Sequence, residues 1–195
     1  MNPFSEVGVY LVQSLGSIYL FILTLRFLLQ ASGADFNNPV SVFLIRATHL
    51  PTKPVRKLVP TFKTIDMATV IVAIIVQGLV IQLSALLLGY KLVNMFYMLA
   101  WSVMGIVSLV LNIYLYGLLA VIILSWIAPY NRHPIVLILH QLIDPMMRPF
   151  QRLIPAIGGL DLSPIFIFLV INMLSIFLNA AAQNMLLPFK IVPGI

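Results

Sequence analysis

Four stretches of this chain stay apolar for far longer than a turn of soluble core requires, and each pair of them brackets a loop of alternating prolines and basic residues. The stretches are about Glu6–Gln30, Met67–Gly89, Met95–Ala128 and Ser163–Leu187. A helix needs about 20 predominantly apolar residues to cross the hydrocarbon core of a bilayer. Each stretch therefore predicts one spanning helix. Each loop opens with a shorter apolar run, Pro39–Leu50 and Pro134–Ile143. Twelve helical residues reach only about 18 Å, so these runs cannot span, and they predict interfacial or re-entrant pieces. In the second run His140, Gln141 and Asp144 gather loosely on one helical face, as an interfacial helix requires, whereas Ser41, Arg46 and His49 of the first are scattered. Next come Pro51, Pro54 and Pro60 in one loop and Pro145, Pro149 and Pro155 in the other. Prolines this close together predict an extended or turning backbone rather than a regular helix.

The two loops are copies of each other. Under a constant shift of 95 residues, Pro39, Leu44, Pro54, Leu58, Pro60 and Asp66 fall on Pro134, Leu139, Pro149, Leu153, Pro155 and Asp161. Lys53 and Lys57 meet Arg148 and Arg152, so charge is kept where identity is not. Because each proline fixes φ and removes a donor, a repeated proline pattern means a repeated backbone shape. The chain divides into two tandem units, 1–94 and 95–195, each a helix, a basic proline-rich loop and a second helix. The expected fold is an all-α integral membrane protein with four spans. Because two spans return the chain to its starting side, the units are expected to be parallel, unlike the inverted repeats of many transporters.

Composition agrees. Hydrophobic residues make up 62% of the 195 and charged ones 8%, against about 25% charged in soluble domains; mean hydropathy is +1.09. The first six residues hold no Lys or Arg and the apolar run behind them exceeds a signal-peptide core, so a retained first helix is expected. With no cysteine, disulfides and thiolate sites are excluded. The net charge of +6 sits in membrane-flanking loops, which points to anionic lipid or an acidic partner and away from nucleic acid. Arg46, Lys53, Arg56, Lys57 and Lys63 lie in the first loop and Arg132, Arg148 and Arg152 in the second, against Lys91 and Lys190 on the other side. Basic loops stay inside, so both loops are expected in the cytoplasm and both termini outside.

His133-Pro134, Asp144-Pro145, Arg148-Pro149, Arg152, Ile154-Pro155, Gly158-Gly159, Asp161 and Ser163-Pro164 together resemble the pattern of the YggT family of integral membrane proteins, with Leu124-Ser125-Trp126 ahead of them. The first copy keeps Arg26, Asn38-Pro39, Lys53-Pro54, Lys57, Pro60 and Asp66, but has His49-Leu50-Pro51, Lys63-Thr64 and Met67-Ala68-Thr69 where the second has the acidic-Pro step, the glycines and Ser-Pro. The second copy is thus the stricter one. The resemblance covers almost the whole chain and is to the two-repeat form of gamma-proteobacteria. It implies a bacterial inner membrane protein without an established catalytic activity, in a family loosely linked to osmotic or ion tolerance and, in Gram-positive and plastid relatives, to division or membrane organisation.

Individual residues carry alternatives. Asp66 and Asp161 each precede a spanning stretch; both read as helix caps at the positive end of the dipole, or as ion sites. Arg26 near the end of the first span can snorkel to the headgroups or pair with Asp66, and its counterpart in the second copy is expected near Ser125. Gln77 and Asn172 meet under the 95-residue shift, deep in their spans, and are expected to bond across helices. No Lys, Arg or carboxylate lies near the middle of any span, which lowers proton pumps and voltage sensors in rank. His133 and His140 lack an evident third metal ligand, and no nucleophile–His–acid pattern occurs, so neither cofactor nor enzyme activity is expected. Lys53, Lys57, Arg148 and Arg152, set among Pro54, Pro60, Pro149 and Pro155, are the candidate contacts to anionic headgroups or to a protein partner, including a second copy of the chain. The expected function is a non-enzymatic membrane protein that organises lipid or docks a partner; the alternative is a small ion or osmolyte transporter or channel subunit, built as an oligomer.

Overall fold

The structure, a computed structural model, describes residues 3–59, 65–128, 130–153, 161–185 and 192–193. Among them are six helices: α1 (Pro3–Ala31), α2 (Pro39–Leu58), α3 (Met67–Leu87), α4 (Met95–Ile127), α5 (Pro134–Leu153) and α6 (Ser163–Asn184). Four of these, α1, α3, α4 and α6, are long and apolar enough to cross a membrane. They match the four apolar stretches of the sequence. The repeat appears as two sets of three, with α2 and α5 both 20 residues long and both beginning at a repeated proline. Asn38 starts α2 by accepting the Val40 N–H at 2.9 Å, with Pro39 in the first turn where its missing donor costs nothing.

One expectation fails. Pro51 and Pro54 lie inside α2, and Pro145 and Pro149 inside α5; the loops are helices through these prolines rather than extended chain. A proline within a helix costs about 3 kcal/mol or more because a backbone bond is lost, and at Pro51 another helix meets the freed carbonyl. Pro51 cannot donate to Ala47, whose carbonyl instead lies 3.4 Å from the Tyr19 hydroxyl of α1. Thr48 and Thr52 donate their hydroxyls to the carbonyls of Leu44 and Thr48, at 2.6 and 2.7 Å. Pro60 and Pro155 lie outside the described residues, as does the Gly158-Gly159 step.

Small residues set the approach of the spans. The antiparallel pair α1 and α3 closes at Gly16, where a Cβ would sit 2.4 Å from a Val80 methyl, and at Gly8 against Leu87. Across α4, Gly117 does the same for Ile143 of α5, at 2.9 Å. α3 is the most enclosed span and α6 the least. The largest apolar core unites the two halves: Leu28 and Leu29 of α1, Leu44 of α2, Ile113 and Leu118 of α4, Ile138 and Ile143 of α5, and Ile167 of α6. The short helices also meet through polar bonds, Asn38 Nδ2 to the Pro134 carbonyl at 2.8 Å and the Asp35 N–H to Gln141 Oε1 at 3.0 Å. The two repeats thus share one interior, and their loops are tied together at one end of it.

Candidate functional site

The buried face of α2 explains its weak amphipathic signal. Ser41, Leu44, Thr48 and Thr52 recur every three or four residues, the spacing of one helical face, yet three of the four are polar. Two of these, Thr48 and Thr52, receive Arg26 of α1, which is buried against this face, 4% exposed. The guanidinium donates through Nη1 to Thr48 Oγ1 and to Thr52 Oγ1, the latter at 3.3 Å. Both hydroxyl hydrogens already point at helix carbonyls, so their lone pairs are free to accept. Nη2 of Arg26 lies 3.5 Å from Asp66 Oδ2. The ion pair, not the snorkelling side chain, is what the structure contains.

Asp66 is fully buried and its Oδ2 serves three partners: Arg26, the Thr69 hydroxyl at 2.8 Å, and Arg56 of α2, which makes the closest ion pair. No backbone N–H donates to its side chain at the start of α3. The capping reading of Asp66 is therefore corrected: the carboxylate holds α1, α2 and α3 together instead. Burial pushes its carboxyl up, but the hydrogen bonds from Arg56 and Thr69 and the two guanidinium charges outweigh this and hold it below the ordinary carboxylate value. Arg56, Thr48, Thr52 and Thr69 were missed from the sequence. Their signal was the spacing of four in Thr48, Thr52 and Arg56, hidden because the prolines there argued against a helix.

The second half repeats the geometry without the cations. Gln151 falls on Arg56 under the 95-residue shift and donates through Nε2 to Asp161 Oδ2 at 2.9 Å, ten residues on, as Arg56 does to Asp66. Asp161 is exposed, and its Oδ1 accepts the Ser163 N–H at 2.8 Å at the start of α6. Burial again raises this carboxyl, and the bonds from Ser163 and Gln151 bring it below the ordinary value. Where the first half has Arg26, Thr48 and Thr52, the second has Val121, Ile143 and Met147, all in the shared apolar core. Ser125, the expected counterpart of Arg26, is instead exposed and bonds to the Ile122 carbonyl of its own helix.

The two amides also part company. Gln77 is 1% exposed and donates at 2.9 Å to the carbonyl of Pro193, near the end of the chain rather than in another span. Asn172 is exposed on α6 and bonds at 2.8 Å to Phe168 of the same helix, and the expected cross-helix bond is not found among the described residues. Lys53, Lys57, Arg148 and Arg152 all lie exposed on α2 and α5, and none forms an ion pair with a described residue. Pro54 and Pro149 sit next to them, also exposed. An apolar groove of about 480 Å³ opens between α1, α4 and α5, lined by Phe21, Leu25, Leu109, Ile113 and Leu142 among others.

Comparison with known proteins gives the same duplication. The CCB3/YggT family matches residues 6–88 and again 100–182. An uncharacterised protein of Pseudomonas aeruginosa is 40% identical over 187 residues, covering 94% of this chain and 95% of its own. The uncharacterised protein YggT of Escherichia coli K12 is 36% identical over 185 residues, 92% of this chain and 94% of its own. A chloroplastic YlmG homologue of Arabidopsis thaliana is 47% identical over 62 residues, 32% of this chain and 24% of its own. No solved structure matches.

Proposed function

Since the chain belongs to the CCB3/YggT family, whose bacterial relatives above have names that assign no activity, we propose that it is a non-enzymatic organiser of the bacterial inner membrane. Its two basic helices lie along the cytoplasmic face and gather anionic phospholipid headgroups. The observation that carries this reading is the matched set of four cations. Lys53 and Lys57 on α2, and Arg148 and Arg152 on α5, are one helical turn apart in each pair, exposed, and without a carboxylate partner among the described residues. The two helices meet at their N-terminal ends, Asn38 against Pro134, and each carries its own pair of cations at the same spacing. Each basic residue near an anionic surface contributes about 1 kcal/mol, or about fivefold in affinity, and the effect is screened by salt. The apolar groove between α1, α4 and α5 adds a lateral surface suited to acyl chains.

The test is retention of phosphatidylglycerol by the purified full chain in mixed vesicles, at low and high salt. Replacing all four cations by glutamine should lower retention at least tenfold and remove its salt dependence, while exchanging Lys and Arg at these positions should change little. Unchanged retention in the glutamine variant contradicts the proposal. If Arg148→Lys fails as badly as Arg148→Gln, a carboxylate of a protein partner, held bidentately, replaces lipid as the occupant. The sidedness has its own check. A cysteine at Asn94 should react with a membrane-impermeant thiol reagent in intact cells and one at Asn37 should not; the native chain contributes no background thiol.

A further inference from the structure

Beside the buried ion pair, between α1 and α2, lies a recess of about 270 Å³ lined by Arg26, Gln30, Phe36, Ile45 and Arg56. We propose that this recess is a discrete binding site for one phosphate-type oxyanion, present in the first half of the chain only, and separate from the exposed cations of the basic helices.

Three observations carry it. The first is charge. Two guanidinium groups face one carboxylate, so the cluster keeps a net charge of +1 in a partly enclosed space, where an anion is screened far less than at an open surface. Arg56 is 37% exposed, which leaves the site reachable. The second is unused donors. Arg26 Nη1 and Nη2 are engaged by Thr48, Thr52 and Asp66, but its Nε, fully buried, has no partner among the described residues. Ser41 Oγ, also buried without a partner, lines the small hollow next to the recess, which Arg26, Phe36 and Ile45 share. Buried polar atoms in native proteins nearly always have partners, and an oxyanion in the recess supplies an acceptor for Arg26. Guanidinium forks suit phosphate geometry in particular. The third is size. The volume falls just below the roughly 300 Å³ at which ligand pockets begin, and is several times the roughly 30 Å³ of one water. It suits a small group, such as a phosphate with an ester arm.

The second half offers the contrast. There Val121, Ile143 and Met147 stand in place of Arg26, Thr48 and Thr52, and Gln151 in place of Arg56. None of these four counterparts carries a positive charge.

Two sources share this chemistry, the phosphodiester of a lipid headgroup and free inorganic phosphate, and the experiment separates them. The full chain in neutral detergent is titrated with sodium phosphate, with sodium chloride at matched ionic strength, and with phosphatidylglycerol, and Tm is followed. A saturable rise of about 5–10 °C at a hundredfold excess over Kd is expected from phosphate, from the lipid, or from both, and not from chloride. Response to phosphate alone assigns a free anion; response to the lipid alone assigns a headgroup; response to both means that the site reads the shared phosphate. Two variants leave the ion pair intact. Gln30→Glu places a tethered carboxylate in the recess, and should raise Tm without ligand and abolish the response. Ile45→Trp fills the recess without altering its charge, and should abolish the response with little change in starting Tm. The glutamine variant at Lys53, Lys57, Arg148 and Arg152 should keep it, which distinguishes failure of this site from failure of the basic helices. No saturable shift beyond chloride, or one that survives in both Gln30→Glu and Ile45→Trp, overturns the proposal.

Discussion

In the first half of the chain Arg26, Thr48, Thr52 and Asp66 are buried together, and in the second half the matching places hold Val121, Ile143, Met147 and an exposed Asp161. What the halves share is a clamp: a side chain of the short helix bonded to an aspartate ten residues on, Arg56 to Asp66 and Gln151 to Asp161. The clamp works with or without a cation, so it belongs to the architecture. The buried charge does not. Removing ions from water costs several kcal/mol each, and apolar side chains of similar volume commonly serve stability as well or better. The second half shows that this backbone accepts that apolar solution. A costlier solution kept in one half alone is therefore better explained by binding than by folding.

The largest effect is expected from Asp66→Asn, which leaves Arg26 buried without a counter-charge. A loss of about 3–5 kcal/mol, the range for breaking one partner of a buried pair, should appear in denaturant unfolding of the detergent-solubilised chain. Next, the first half can be given the interior of the second, with Arg26→Val, Thr48→Ile and Thr52→Met added to Asp66→Asn. This variant should recover most of the lost stability, and it should not bind phosphate. If it is no more stable than Asp66→Asn alone, the two interiors are not interchangeable and the comparison fails. Smaller effects are expected at Asp161: alanine there should cost about 0.5–2 kcal/mol and asparagine only a few tenths, because a neutral amide can still accept the Ser163 N–H.

Acid gives a gentler probe of the same contrast. Asp66 titrates below its ordinary value in the folded protein, so its charged form is favoured by folding. That contribution is fully present above the unfolded carboxylate value of about 3.9, and it disappears as pH falls through the lower folded value. Tm of the native chain should therefore hold steady down to about pH 5 and decline below about pH 4, and the decline should be shallower in Asp66→Asn. An equally steep decline in that variant would assign the acid sensitivity elsewhere.

Much of this was legible in the sequence. Long apolar runs fixed the four spans, because a bilayer leaves little alternative for 20 residues without charge. The 95-residue repeat fixed the two-part plan, and a pairing of Arg26 with Asp66 was one of the two readings that Arg26 allowed. The short helices were misread through their prolines, since a local rule counts the lost backbone bond but not the Tyr19 hydroxyl that arrives from another helix. Treating the loops as non-helical then hid Thr48, Thr52 and Arg56, whose common face exists only once α2 is a helix. Asn172 was misjudged for a related reason. The shift that aligns it with Gln77 is a relation along the chain, whereas burial depends on what packs alongside. α3 is enclosed by its neighbours and α6 is mostly open, and Gln77 is bonded by a carbonyl from Pro193 that no repeat would indicate.

The most direct test is a pair of double-mutant cycles, one between Arg26 and Asp66 using Arg26→Met and Asp66→Asn, the other between Gln151 and Asp161 using Gln151→Met and Asp161→Asn. Coupling energies from unfolding should be about 3 kcal/mol or more for the first pair, which is buried and charged, and below about 1 kcal/mol for the second, which is exposed and has a neutral partner. Equal couplings would contradict the assignment of a specific buried electrostatic site to the first half of the chain.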